Sequence, residues 1–188
     1  EIDKDHMMII SQDEGAMQRA MYFANVLEVN IGMFYKRRDY SVVIDGRNPI
    51  VAHEYLGESV EGKDVMVIDD MISSGESMLD VARELKRRKA RRVFCISTFG
   101  MFTNGLSSFD KAYEDGTIYK VITTNCTYQM PELLERPWYV SCDVSKYIAL
   151  LIDSLNHEAS ISALLDPHDR IKKRLAEYKV THTIKEED

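Results

Sequence analysis

The residues best suited to chemistry are two adjacent carboxylates that end an apolar run and lead into a serine- and glycine-rich turn. They lie in Val65-Met66-Val67-Ile68-Asp69-Asp70-Met71-Ile72-Ser73-Ser74-Gly75-Glu76-Ser77. An apolar strand followed by such a turn and a helix places unpaired backbone N–H groups, and the positive end of a helix dipole, where a phosphate can sit. Gly75 allows close backbone approach, and Ser73, Ser74 and Ser77 add hydroxyl donors. Asp69 and Asp70 would repel a bare anion, so their use must be to accept hydrogen bonds from sugar hydroxyls or to hold hydrated magnesium. The plainer alternative is a strand–turn–helix connection with Ser77 as N-cap and solvated acids.

Two other segments carry groups of the right kind. In Ser11-Gln12-Asp13-Glu14-Gly15-Ala16, Asp13 follows an apolar run and, on the residues alone, can simply cap the next helix. Lys36-Arg37-Arg38 presents three successive cations at the end of another apolar stretch, a pattern equally at home on a solvated edge.

The run from Val65 to Ser77 resembles the PRPP-binding fingerprint of the phosphoribosyltransferase-type fold, PRPP being 5-phosphoribosyl 1-pyrophosphate. By that resemblance Asp69 and Asp70 face the ribose hydroxyls, and Ser73, Ser74, Gly75, Glu76 and Ser77 surround the 5-phosphate. The other two segments are similar to motifs of the ribose-phosphate pyrophosphokinases. There Ser-Pro-Asp-x-Gly-Gly handles pyrophosphate and its Asp, here Asp13, contacts Mg2+. Glu14, Gly15 and Ala16 complete that pyrophosphate loop. Gln12 stands where Pro is usual, and Ala16 replaces the second Gly. A Lys-Arg-Arg triplet opens the catalytic loop, so the resemblance implies that Lys36 stabilises charge in the transfer and Arg38 binds phosphate oxygens. Phe99 departs from a common His, and Glu76 from a small or basic residue. Thr123-Thr124-Asn125 and Ser160-Ile161-Ser162-Ala163-Leu164 extend the match to about residue 165.

The resemblance implies transfer of the pyrophosphoryl group of ATP to the 1-hydroxyl of ribose 5-phosphate, giving PRPP and AMP, with Mg2+ as cofactor. It also implies self-association into a homo-oligomer. ATP-binding residues in that family come from an amino-terminal domain with no counterpart here, so the chain is expected to supply the sugar-phosphate half and to be inactive alone. Two rival readings remain: a transferase that consumes PRPP, for which no base-recognition hood is visible, and a non-catalytic associated subunit.

Short apolar runs alternating with amphipathic stretches predict an α/β fold with a mainly parallel sheet flanked by helices, and the resemblance implies that it is of the type I phosphoribosyltransferase kind. Strands are expected over Met7–Ser11, Asn30–Tyr35, Asp64–Ile68, Arg92–Thr98 and Ile118–Thr123, and helices over Gly15–Leu27, Ser77–Lys89 and Val144–Asn156. The last carries Ile148, Leu151, Ile152 and Leu155 on one face, and Ile161–Leu165 reads as a short docking segment. Residues 40–61 mix strand-like pieces with turn signals and are longer than the family's common form. One domain spans residues 1–170, and 171–188 form a charged helix and tail.

The composition agrees with a single globular domain: 188 residues, 45% hydrophobic and 29% charged. A net charge of -7 from 24 basic and 31 acidic residues argues against general nucleic-acid binding. Three unpaired-looking cysteines and the lack of any long apolar run point to a reducing, cytoplasmic setting without a membrane span. Five scattered histidines form no ligand pattern.

Overall fold

The computed structural model describes residues 2–38 and 50–182. Its frame is a seven-stranded sheet in the order β3-β2-β1-β4-β5-β6-β7. The strands are β1 (Met7–Ser11), β2 (Asn30–Arg38), β3 (Ile50–Leu56), β4 (Asp64–Ile72), β5 (Arg92–Gly100), β6 (Lys120–Thr124) and β7 (Tyr139–Cys142). All pairings are parallel except β2 with β3. Helices α1 (Met17–Leu27), α2 (Glu76–Arg87) and α3 (Ser107–Glu114) connect strands, and a four-residue α4 (Pro131–Leu134) precedes β7. Helices α5 (Ser145–Asn156), α6 (Ser162–Leu165) and α7 (His168–His182) close the chain, with α7 against α1.

The β-strand period of two sorts the central side chains into two layers. Met8, Ile10, Val65 and Val67 join Leu79, Val81 and Leu85 of α2 and Phe109 of α3 in one core. Ile9 and Ile68 point the other way and pack with Ala20 and Ala24 of α1. Helix α1 therefore covers one face while α2 and α3 cover the other. The order of connection reverses between β1 and β4, because β1 leads outward to β2 whereas β4 leads the opposite way to β5. A sheet of this kind opens a crevice beyond the carboxyl ends of its strands at that point.

Strands β4 and β5 run further than the apolar pattern suggests. Their pairing continues through Met71↔Phe99 and Ile72↔Gly100, so Asp69 and Asp70 lie within the ladder instead of after it. At the other end of β4, Asp64 is 2% exposed and accepts hydrogen bonds from Arg91 at 2.8 Å and from Arg92. Burial works to raise that carboxyl's pKa, but the two guanidinium groups outweigh it and hold the group at about 2.

Strand β2 also continues past Tyr35, because β3 supplies an antiparallel partner: Lys36 pairs with His53 and Arg37 with Ala52, with a bulge before Arg38. Residues 39–49, most of the first half of the 40–61 stretch, lie outside the described residues. Three elements escaped the sequence reading: α3, α4 and β7. Helix α5 forms where expected, yet none of its residues is buried, and Ile148, Ile152 and Leu155 are 43%, 62% and 64% exposed. The apolar residues that the sequence sets on one face form a stripe left largely open to solvent. Among the described residues, no helix is long and apolar enough to cross a membrane.

Candidate functional site

The turn after β4 is shaped by Gly75. Its φ of +87° lies in the left-handed region, and a Cβ there would stand 2.3 Å from the ring of Phe109. Glycine is thus required twice, by backbone conformation and by packing. Gly75 caps α2 directly, which moves the helix start to Glu76 and makes Ser77 its second residue, not its N-cap. Without a capping side chain at Gly75, the first N–H groups of α2 face the turn, although Ser74 Oγ accepts from the Glu76 N–H at 3.4 Å. Ser73, Glu76 and Ser77 are exposed, while Ser74 is half-buried. The loop after β5 braces this turn: the Met101 N–H donates to Ile72 O at 2.8 Å and the Thr103 N–H to Ser73 O at 3.0 Å. Phe99 is 37% exposed beside the 43% exposed Met71.

Asp69 is half-buried and Asp70 exposed. Asp69 Oδ1 accepts from the Asp70 N–H at 2.8 Å. Burial pushes the Asp69 carboxyl up to about 6; the Asp70 N–H opposes that rise, and the Asp70 and Asp13 carboxylates add to it. Asp13, nominated from a segment more than fifty residues away in sequence, therefore shares its electrostatic environment with Asp69. The register explains why: Ser11, last in β1, is level with Ile68, so Gln12 and Asp13 leave the sheet beside Asp69 and Asp70.

The Asp13 loop is held by its own atoms. Ser11 Oγ donates to Asp13 O at 2.7 Å, and Asp13 Oδ1 accepts from the Ala16 N–H at 3.2 Å, capping a single 3-10 turn over Glu14–Ala16. The capping use weighed for Asp13 is present in the fold. Ala16 has φ −86° and ψ −5°, an ordinary right-handed conformation, so this turn needs no second glycine.

Lys36 and Arg38 are placed by backbone alone, their side chains lying outside the described residues. Ser11 is level with Met33 of β2, so Lys36 stands three residues, roughly 10 Å, beyond the end of β1 at the same edge of the sheet. The three nominated segments thus meet at one end: β1 in the middle, β2 and β4 on either side. A cleft of about 270 Å³ lined by Tyr55, Val60, Glu61, Arg88 and Lys89 lies at the opposite end. Its cations are engaged, Arg88 with Glu84 and Lys89 with Glu61, and it takes no part in this constellation.

Sequence reasoning took Asn125 as part of a family motif. In the fold it ties β6 to α5, its amide nitrogen donating to Asp143 and Ser145 and its oxygen accepting from the Val144 N–H. Phe109, which dictates Gly75, went unremarked because α3 is short and offers few apolar positions. Trp138, stacked on Phe109 at 5.5 Å, was missed for the same want of a pattern.

A glycine turn at a helix start, carboxylates at the end of the strand before it and a switch-point crevice form an arrangement that suits a sugar phosphate. The family model for the phosphoribosyl transferase domain matches residues 1–125, the stretch that contains all of it. The chain belongs to this family. It is 29% identical over 163 residues to the ribose-phosphate pyrophosphokinase of Vibrio parahaemolyticus, covering 86% of this chain and 49% of that protein. The enzyme of the same name from Mycoplasma genitalium is 28% identical over 176 residues, 93% of this chain and 51% of its own length. That from Shewanella oneidensis is 31% identical over 164 residues, 85% and 48% respectively. The chain therefore spans about half the length of the curated relatives it matches. In fold it is similar to the phosphoribosylpyrophosphate synthetase of Mycobacterium smegmatis, with a TM-score of 0.67 at 20% identity, over 81% of this chain and 46% of that one.

Proposed function

We propose that this chain provides the ribose 5-phosphate and pyrophosphate half of a ribose-phosphate diphosphokinase. The complete enzyme transfers the pyrophosphoryl group of ATP to the 1-hydroxyl of ribose 5-phosphate, forming PRPP and AMP. The observation that carries this reading is the Gly75 turn at the start of α2, set beside Asp69 and Asp70 at the β1/β4 switch point. Ser73, Ser74, Gly75, Glu76 and Ser77 surround the 5-phosphate through backbone N–H groups and hydroxyls, and Asp69 and Asp70 accept from the ribose hydroxyls. Glu14, Gly15 and Ala16 shape the pyrophosphate loop.

The donor set also fits Mg2+. Asp13 lies close enough to Asp69 to resist its ionisation, and a hard divalent cation relieves such crowding. When bound, Mg2+ supplies charge neutralisation between the phosphates. The carboxylate of Asp13 would hold it, while Lys36 and Arg38 stabilise the charge that moves during transfer. Positioning of the two substrates accounts for the remainder of the acceleration.

Self-association is supported by the uncovered apolar stripe of α5. A cytoplasmic setting for the reaction fits the free Cys95, Cys126 and Cys142. The test is Lys36→Ala in the complete enzyme, followed by PRPP formation from ATP: turnover should fall by about a hundredfold or more while ribose 5-phosphate still binds. Near-normal turnover removes Lys36 from the mechanism, and release of pyrophosphate from PRPP on addition of a purine or pyrimidine base replaces the kinase reading with a transferase one.

A further inference from the structure

The loop after β1 contains a polar atom that the fold leaves unanswered. Gln12 is 7% exposed, and its Oε1 has no hydrogen-bond partner among the described residues. A buried carbonyl of this kind has given up its hydration for nothing, and folded proteins retain few of them. The residues on either side are engaged locally, Ser11 through its hydroxyl and Asp13 through its capping oxygen. Gln12 follows Ser11, the last residue of β1, which is level with Ile68, so it is the first residue to leave the sheet there. The Gln12 side chain thus leaves the sheet at the end of β1 that Asp69 and Asp70 also occupy on β4. Ionised carboxylates only accept hydrogen bonds, and no donor among the described residues reaches the Gln12 oxygen. What completes such a group is a donor brought from outside.

We propose that Gln12 is a ligand-binding residue whose amide oxygen accepts a hydrogen bond from an O–H donor arriving with the sugar phosphate. That donor is a sugar hydroxyl or a water of the accompanying cation. The inference rests on the sugar-phosphate reading of the site and adds to it a contact from the first residue beyond β1. It also gives a physical use to the position where the related motif has proline, a residue with no side-chain acceptor.

The experiment compares the chain with its Gln12→Met variant, which keeps length and bulk but cannot accept strongly. Binding of ribose 5-phosphate is measured by calorimetry with Mg2+ and with a chelator, and thermal unfolding is measured without ligand. Affinity should fall about tenfold in the variant, the effect of one hydrogen bond of ordinary strength. The ligand-free melting temperature should stay level or rise, because an unmet polar atom has been removed. A loss seen under both conditions identifies a sugar hydroxyl, and a loss confined to Mg2+ identifies a metal-bound water. Equal affinities in the two proteins overturn the inference and leave the proposed function standing. A lowered ligand-free melting temperature also overturns it, making Gln12 a packing residue. If the unsubstituted chain does not bind ribose 5-phosphate at all, the sugar-phosphate reading fails and this contact with it.

Discussion

Asp69 is where function and stability pull against each other. Its folded-state pKa, about 6, lies above the ordinary carboxylate value of 3.8, so the folded chain holds a proton that the unfolded chain has released. The stability this contributes is complete below about pH 4 and is lost as pH rises through about 6. Asp69→Asn removes the penalty. Urea denaturation at pH 7.5 should show the variant more stable by about 1 kcal/mol, a figure reduced from the full shift because the group is only half-buried; the gain should vanish at pH 4. The same variant should bind ribose 5-phosphate poorly. The paired acids were legible from residue type alone. That they share a field with Asp13 was not, because the link is a strand register.

Helix α2 and its turn show how a single packing contact fixes a loop. Gly75→Ala forces a left-handed alanine and drives a methyl into Phe109, each a recognised source of destabilisation. Equilibrium unfolding should report a loss of about 2–4 kcal/mol, with anion binding lost even under conditions where the chain remains folded. Much at this scale was readable. β1 has the bounds its apolar run implied, and Met78, Val81, Ala82 and Leu85 supply the buried face of α2. The misses have physical causes. Asp69 and Asp70 look like the end of a strand because polarity breaks the apolar run, yet backbone pairing with β5 is indifferent to it. Strand β7 has four residues, and α3 buries only Phe109 and Ala112, too few positions for a period to emerge.

For the whole molecule, the telling contrast is between the tightly filled layers around β1, β4 and β5 and the bare stripe of α5. Periodicity reveals that a helix has an apolar side but not what will cover it. Because Ile152 and Leu155 bury little within the chain, replacing both with Asp should change its unfolding free energy by no more than about 0.5 kcal/mol. Sedimentation should then move toward the monomer in the substituted protein; unchanged association would place the self-contact elsewhere. The chain's formal charge of -7 is likewise not a fixed property of the site. At pH 6 about half the molecules carry a proton on Asp69. The charge that the crevice presents therefore shifts with the medium around that pH, a setting fixed mainly by the depth at which one side chain sits.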